Sequence, residues 1–577
     1  MRTHTLIESA APRQQRVEWR WLSRGSDGSW ALGLGLVGFL ALSPGLLWGL
    51  PAGKTIVNGL RILHGDLPYR DFWTMYAPGQ FYLVAALFWA FGTHIWVQGV
   101  AVLALVSIGA AVFFTFLRGL GLPRGPAAIL AAMYIVMFWG TAPEMSTYEP
   151  AMVLLLLALV QVSRHIRGGG AAPLWFAGLL CGVAAWFKHD VSFYVCAGVS
   201  IGLTASWILL RHEGPRAGLP PWKTVPRLGA GAVVSLLPVA VLVAWAAGSR
   251  AWTDLIAFPA TTFPLVFGEP FPAPWPDLAR LIDAARSPID LGRLLGVTGY
   301  LSSWLLCWVP FWVFAVGAVT TIGRRRRAPG AVSEQALVLL ACMPFFWSAA
   351  HVQKNTHLYS LAILSMSLGA MAWARSGISS RPRVVRATLL ATLVLLGVGL
   401  AQPPAVAVAD VVYHWRGHRQ IDFPPVRGIR VKAAEYDVFN PLVSLVRART
   451  SPDEPIYVGL GRHDSIVISD QRPYYLAERQ PATRYNELHS GISDRAATQR
   501  EMAEGLDRLA TRCVVLWHFG WSRQTMDAIL ARRRARVPDV GATALDAFLR
   551  QQFSTIGSWG EYEVRWRDRP PIAGEAD

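Results

Sequence analysis

Long apolar runs separated by short polar segments dominate the first 404 residues of the chain. A run needs roughly 17–25 predominantly apolar residues to cross a bilayer as a helix. Eleven runs approach or meet that length, so the pattern predicts about eleven transmembrane helices. They lie at residues 30–50, 95–117, 125–141, 148–164, 172–187, 190–210, 228–248, 298–322, 335–350, 356–375 and 384–404.

From residue 405 onwards the pattern changes to short segments of mixed polarity. Residues 456–460, 514–517 and 561–567 have the composition of strands, whereas residues 499–509 have the apolar periodicity of an amphipathic helix. The prediction is therefore a mainly α fold, a polytopic helical membrane protein with a small C-terminal α/β domain. Its predicted parts are a tail at 1–29, a transmembrane domain at 30–404 with large outer loops at 51–94 and 249–297, and the α/β domain at 405–577.

Composition and charge support this interpretation. Hydrophobic residues make up 53% of the chain and charged residues only 16%, against about 25% charged in soluble domains. The net charge of +17 comes largely from arginines in alternate connections between the runs. Because cytoplasmic loops collect Lys and Arg, the N-terminus is predicted to lie inside and the C-terminal domain outside the cytoplasmic (inner) membrane. The basic charge thus indicates orientation among membrane lipids, and no nucleic acid is expected as a partner.

Ionisable residues at the outer ends of the runs are candidates for function, because they are costly beside lipid. They fall in residues 58–92, 144–149, 187–190 and 351–359. Carboxylates there could act as a general base or hold a divalent cation, and Lys or His could bind a phosphate. Only five lysines occur in the chain, and two of them, Lys188 and Lys354, lie in short outer turns. This combination suits group transfer from a lipid-linked phosphate.

Simpler structural roles also fit these residues. Asp71 could cap an interfacial helix, and the two lysines could extend towards lipid headgroups. His189 and Asp190 could form a local turn pair, and Glu149 could be a first-turn carboxylate favoured by the helix dipole.

Several segments resemble one known family. The segments GDLPYRDFW and APGQFYLVAALFWAFG are similar to the first outer loop of bacterial GT-C membrane glycosyltransferases of the family 39 type. That group includes protein O-mannosyltransferases and lipid A aminoarabinose transferases. The resemblance covers roughly residues 30–375 and includes an acidic residue at the fourth run, then FKHD and KNTHLY in later outer turns.

The resemblance implies inverting transfer of a sugar from a polyprenyl-phosphate donor to a lipid, glycan or protein acceptor on the outer face of the membrane. It makes Asp71 the candidate base and Glu149 the second catalytic carboxylate, with Asp66 as the alternative to Asp71. Paired carboxylates at Asp71 and Glu149 would also permit a Mg²⁺ or Mn²⁺ ion without requiring one. Candidate ligands of the donor phosphate are Lys188, Lys354, His357 and Arg70, with supporting roles for Tyr69, Glu144, His189 and Asp190.

One departure from the family pattern leaves alternatives open. Many relatives carry their catalytic acid just after the first span, where this chain has the sequence PAGK at 51–54. Either Asp71 or Asp66 takes that role, or the chain is a non-catalytic relative acting in envelope assembly. A transporter or lipid flippase is a further alternative, although it predicts internal repeats and charges near span centres. The C-terminal domain is expected to support acceptor binding or assembly rather than chemistry.

Overall fold

The computed structural model describes residues 25–138, 143–211, 219–268, 272–286, 291–325, 342, 412, 415–467 and 469–568. Lys354 and His357 lie outside the described residues. So do the predicted spans 356–375 and 384–404, and all but one residue of 335–350.

The described part of the first 325 residues is a succession of helices. The longer ones are α1 (Gly25–Leu42), α2 (Lys54–Leu63), α3 (Gly79–Phe91), α4 (Ile95–Gly119), α5 (Arg124–Met137), α6 (Tyr148–Ile166), α7 (Ala172–Ala185), α8 (His189–Leu210) and α9 (Pro221–Ala247). The loop after α9 holds α10 (Ser249–Trp252), a π-helix (Thr253–Thr262), α11 (Phe263–Phe267) and α12 (Leu278–Arg286), and α13 (Leu291–Arg325) follows.

Five helices within the described residues are long and apolar enough to cross a membrane. They are Ser26–Leu47, Ile95–Gly119, Tyr148–Ile166, His189–Leu209 and Pro221–Ala247, and each overlaps a predicted span. The predicted spans at 125–141 and 172–187 correspond to α5 and α7, which are apolar helices of 14 residues each. The predicted span at 298–322 lies within α13. The mainly helical fold with several apolar spans is confirmed.

Glycines let two of these helices pack closely. A Cβ atom at Gly178 of α7 would lie 2.1 Å from the Leu228 carbonyl oxygen of α9. A Cβ atom at Gly231 of α9 would likewise lie 2.3 Å from the Trp175 carbonyl oxygen of α7. Only glycine allows this backbone approach, which is a frequent device of membrane helix pairs. The contact holds α7, and with it the turn that follows α7, in a fixed position.

The C-terminal region is α/β, as predicted. Strands β1 (His418–Gln420) and β2 (Arg430–Lys432) form an antiparallel pair. Strands β3 (Tyr457–Leu460), β4 (Cys513–Trp517), β5 (Ser554–Trp559) and β6 (Tyr562–Trp566) form a sheet of order β3-β4-β6-β5, in which only β3 and β4 are parallel. Its helices are α14 (Ala433–Arg449), α15 (Arg472–Ala477), α16 (Ala496–Arg508), α17 (Arg523–Arg534) and α18 (Ala544–Gln552).

The first outer loop and the C-terminal region form one packed unit. The Trp73 side chain is buried in the same apolar cluster as core residues of the C-terminal sheet, and its backbone N–H donates to the Arg484 carbonyl. Arg484 in turn donates to the Tyr69 carbonyl and pairs with Asp254 of the π-helix at 2.5 Å. The Tyr475 hydroxyl donates to the Pro51 carbonyl at 2.8 Å. The C-terminal region therefore covers the loop that carries most of the predicted site.

Arg61 is the buried centre of this contact, and its loss should destabilise the protein. It donates to Asp66, to the Asp71 carbonyl, and to the Thr483 carbonyl and Asn486 side chain across the interface. Arg61→Ala leaves these acceptors unpaired, and we expect a loss of about 3 kcal/mol. The measurement is the thermal unfolding midpoint of the purified protein in detergent.

Arg427→Ala is the control for that experiment, because the Arg427–Asp422 pair is exposed on both sides and such pairs contribute little. Equal shifts of the midpoint in the two variants would contradict a central role for Arg61.

Candidate active site

The site begins at the start of α2, where a carboxylate from a distant segment caps the helix. The Glu144 carboxylate accepts hydrogen bonds from the backbone N–H groups of Gly53 (3.0 Å) and Thr55 (2.8 Å). Burial raises the pKa of Glu144, although these two donors and the charge of Lys54 work against that rise. A carboxylate at a helix N-terminus is favoured by the helix dipole. Glu144 therefore holds the backbone on both sides of Lys54, at Gly53 and Thr55, and so fixes the position of Lys54.

Lys54 faces the C-terminal region. Its Nζ atom lies 2.8 Å from Oε1 of Glu487 and 3.9 Å from the centroid of the Tyr76 ring. Burial lowers the pKa of Lys54, but the charge of Glu487 and the nearby Tyr76 outweigh burial, and the pKa stands above its ordinary value. Lys54 is thus a permanent cation held between the first outer loop and the C-terminal region.

A second lysine enters from the turn between α7 and α8. The Lys188 Nζ atom lies 2.9 Å from Oδ2 of Asp190 and 5.3 Å from the centroid of the Tyr148 ring. Burial lowers the pKa of Lys188, but Tyr148 and Asp190 raise it by more than burial lowers it. The pKa of Lys188 therefore stands above its ordinary value, and Lys188 is also a permanent cation. Tyr76 raises the pKa of both Lys188 and Lys54 and is therefore close enough to interact with both lysines.

We call this group of side chains the two-lysine site. It comprises Lys54, Tyr76, Glu144, Tyr148, Lys188, Asp190 and Glu487.

Several polar atoms at this site are buried without a partner among the described residues. They include Oε2 of Glu487, Oδ1 of Asp190 and Nδ1 of His189. Leaving a buried polar atom unsatisfied costs about 1–3 kcal/mol, so these atoms suit contact with a bound molecule. The arrangement offers two cations for an anionic group, and beside them carboxylate oxygens that can accept a proton from a hydroxyl.

The predicted residues of the first outer loop form a separate network. The Asp71 carboxylate accepts from Arg70 and from the Leu67 backbone N–H, and Asp66 pairs with Arg61 at 2.6 Å. Burial raises the pKa of Asp71, but the hydrogen bonds from Arg70 and Leu67 outweigh that effect and lower it. These contacts hold the turn at 67–71 closed. Within the described part of the chain, none of them joins Asp66, Arg70 or Asp71 to the two-lysine site.

Tyr69 connects the two networks. Its side chain is fully buried, and its hydroxyl donates to the Tyr76 carbonyl at 2.7 Å. The backbone of Tyr69 has φ of 66°, a left-handed conformation that is uncommon for a bulky residue. The fold around Tyr69 thus fixes Tyr76, which touches Lys54 directly. Tyr69 has the position of a support rather than of a group that meets substrate.

Glu149 lies in the first turn of α6 and is buried. It accepts hydrogen bonds from both the backbone N–H (2.8 Å) and the hydroxyl (2.5 Å) of Ser146. A carboxylate that reaches back to the residue before its helix resembles one half of a capping box. These contacts correspond to the structural alternative that the sequence left open for Glu149. His189 and Asp190 begin α8, and Asp190 pairs with Lys188.

Asp71 and Glu149 have no hydrogen-bond partner in common. Among the described residues, no group of three or more His, Cys, Asp or Glu side chains is arranged to hold a metal ion. A Mg²⁺ or Mn²⁺ ion at Asp71 and Glu149 stays a prediction.

The sequence did not identify Lys54, Tyr76, Tyr148 or Glu487 as site residues. Lysine usage carried a usable signal, since Lys54, like Lys188 and Lys354, lies in a predicted outer segment of a chain with only five lysines. Glu487 is one of many carboxylates in the C-terminal region, and no local sequence pattern distinguishes it from the others.

Comparison with known proteins places the fold. No protein-family model matches the sequence, and no curated protein matches it. The structure is similar to the crystal structure of ArnT from Cupriavidus metallidurans bound to undecaprenyl phosphate, with a TM-score of 0.51 and 12% sequence identity. The match covers 93% of this chain and 97% of that chain. ArnT is a lipid A aminoarabinose transferase of the GT-C type. The chain therefore has an ArnT-like fold, which agrees with the fold that its sequence resemblance predicted.

Proposed function

We propose that this protein is an integral membrane glycosyltransferase. It transfers a sugar from a polyprenyl-phosphate donor to an envelope lipid, glycan or protein acceptor. The observation that carries the proposal is the two-lysine site, where Lys54 and Lys188 pair with carboxylates that each keep one unpaired oxygen among the described residues, on an ArnT-like fold. The similar protein ArnT was crystallised with undecaprenyl phosphate, and such a phosphate is the leaving group that the proposal requires.

The two lysines bind the donor phosphate. Both are cationic at physiological pH because their pKa values stand above the ordinary value for lysine. Ammonium groups form strong, charge-assisted hydrogen bonds to phosphate oxygens. As the bond to the sugar breaks, negative charge grows on the leaving polyprenyl phosphate, and fixed cations stabilise that charge most when it is complete.

Glu487 is the general base. Its Oε1 atom is held by Lys54, and its buried Oε2 atom has no partner among the described residues. In the proposed step, the acceptor oxygen forms a bond to the anomeric carbon from the face opposite the phosphate. The carbon–oxygen bond to phosphate breaks, polyprenyl phosphate leaves with the electron pair, and the acceptor proton passes to Oε2 of Glu487. This direct displacement inverts the anomeric configuration.

Asp71, the base suggested by the sequence, remains a prediction that a single substitution tests. Asn at position 71 can still accept from the Leu67 N–H, so the loop should keep its shape. Because the geometry favours Glu487 as the base, we expect Asp71→Asn to retain transfer within about threefold of the unchanged protein. The measurement is sugar transfer by membranes supplied with radiolabelled lipid-linked donor. A loss of transfer of about 100-fold, with an unchanged thermal unfolding midpoint, would identify Asp71 as the general base instead of Glu487.

The topology belongs to the same proposal. An N-terminus inside and a C-terminal domain outside the cytoplasmic membrane place Lys54, Lys188 and Glu487 on the outer face. The domain limits at 1–29, 30–404 and 405–577 fit this arrangement, since the predicted inner segments carry 21 Lys and Arg and the predicted outer loops carry nine.

A deletion strain tests the function as a whole. Mass spectrometry of its envelope should show one lipid, glycan or protein lacking a single sugar, together with accumulated lipid-linked donor. Complementation with the unchanged protein should restore the sugar. Movement of donor lipid across sealed vesicles without sugar transfer would contradict the proposal in favour of a flippase. Donor binding without turnover on any envelope acceptor would contradict it in favour of a non-catalytic relative.

A further inference from the structure

The C-terminal region contains a cavity of about 440 Å³ that shares no residue with the two-lysine site. It lies at the carboxyl ends of the parallel strands β3 and β4. The crevice beyond the carboxyl ends of parallel strands is the usual ligand site of open α/β sheets. The volume also falls in the range of small-molecule sites, about 300–1,000 Å³.

A glycine shapes the mouth of this cavity. A Cβ atom at Gly461, the first residue after β3, would lie 2.3 Å from Nδ1 of His518, the first residue after β4. Any side chain at position 461 would therefore displace the His518 ring, which also lines the cavity. His518 is held in place by Glu563, whose carboxylate lies 2.8 Å from its Nε2 atom.

One wall of the cavity is aromatic. Trp517, Phe519 and Trp521 follow one another at alternate positions and all line the cavity. Ring centroids are 5.0 Å apart between Trp517 and Phe519, and 4.9 Å apart between Phe519 and Trp521. Trp521 is 45% exposed. A large aromatic surface left open to solvent in this way is costly unless it is used for binding.

Other side chains that line the cavity are polar and held by hydrogen bonds. The Asp546 carboxylate accepts from Nδ1 of the buried His463 at 2.6 Å, and His463 is in turn bonded to the Tyr457 hydroxyl at 2.7 Å. The Asp464 carboxylate is held by two hydrogen bonds from Arg462. Both carboxylates line the cavity, and their bonds to Arg462 and His463 fix them as oriented hydrogen-bond acceptors.

We propose that this cavity binds a saccharide. A sugar ring has an apolar C–H face, which packs on aromatic rings, and a rim of hydroxyl groups, which donate to fixed carboxylates. The cavity lining includes both kinds of surface. A lipid chain would bury the charges of Asp464, Asp546 and Arg462 against hydrocarbon and would offer their remaining hydrogen-bonding capacity no partner. The inference does not rest on the proposed catalytic roles, because the cavity and the two-lysine site have no residue in common.

Saturation-transfer NMR on the full chain in lipid nanodiscs tests this inference. The probes are soluble glucose, galactose, mannose, N-acetylglucosamine and glucuronate. At least one should receive saturation from the protein, and Trp521→Ala should weaken its binding at least tenfold. Gly461→Ala should also weaken it, because the displaced His518 ring enters the cavity.

Trp415→Ala is the matched control, since Trp415 is an exposed tryptophan of the same region that does not line the cavity. Undecaprenyl phosphate binding, measured on the same samples, should be unchanged in all three variants and reports on the fold and on the two-lysine site. The inference is overturned if no probe binds up to about 10 mM. It is also overturned if Trp521→Ala and Trp415→Ala bind the probe equally well.

Discussion

Glu487→Gln should reduce sugar transfer by at least about 100-fold, and it should leave undecaprenyl phosphate bound as tightly as before or more tightly. Glutamine keeps the size of the side chain but cannot take the proton of an acceptor hydroxyl. It also frees Lys54 from its carboxylate partner, 2.8 Å away, so this cation becomes more available to the phosphate. Single-turnover transfer rates and binding of undecaprenyl phosphate to the protein in nanodiscs measure the two effects separately.

Glu504→Gln serves as the matched control, because Glu504 is an exposed carboxylate on α16 of the same region. It should change neither measurement. Transfer within about threefold of normal in Glu487→Gln would exclude Glu487 as the base. A combined loss of transfer and of phosphate binding would show that Glu487 only positions Lys54.

Replacing the two lysines should remove binding of the donor phosphate. A hydrogen bond to a charged group contributes about 1.5–3 kcal/mol, so Lys188→Gln should weaken undecaprenyl phosphate binding roughly 10- to 150-fold. Lys54→Gln should have the larger effect, because it also leaves the buried Glu487 carboxylate uncompensated and facing the phosphate. Native mass spectrometry or a titration in nanodiscs measures both losses.

The double variant reveals whether both lysines hold the same phosphate. If they do, the combined loss should differ from the product of the single losses, since each cation changes what the other contributes. Lys223→Gln is the control, an exposed lysine at the start of α9 on the predicted cytoplasmic side. Equal affinities in Lys223→Gln and the double variant would contradict a phosphate site at Lys54 and Lys188.

Much of the fold could be predicted because its signals are local. Apolar runs of sufficient length predict helices wherever they occur, and the polar FKHD segment correctly separates α7 from α8. In the C-terminal region, the predicted strands at 456–460 and 514–517 match β3 and β4 to within a residue. These elements follow from composition and periodicity over a few residues, which does not depend on distant contacts.

The site was harder to predict because it is assembled from distant parts of the chain. Lys54 and Glu487 form their ion pair only when the C-terminal region packs on the first outer loop. No short sequence motif indicates that contact. Asp71 was predicted as the base because it lies in a loop that resembles the family's first outer loop. In the structure, however, its carboxylate already accepts hydrogen bonds from Arg70 and from the Leu67 backbone N–H. Whether a carboxylate is free or already paired depends on the folded surroundings, and sequence position alone does not reveal it.

The docking of the C-terminal region has a consequence for how the protein comes into being. Domains made first on the ribosome can fold before later ones emerge, so the helices that carry Lys54 and Lys188 are synthesised well before Glu487. The nascent protein therefore has Lys54 and Lys188 before it has its proposed base, Glu487. Glu487 is in place only once the C-terminal region has been made and has packed against Trp73 and Arg61. Under the proposed mechanism, an incomplete or truncated chain should therefore bind donor lipid without transferring its sugar, and turnover should begin only when synthesis is finished.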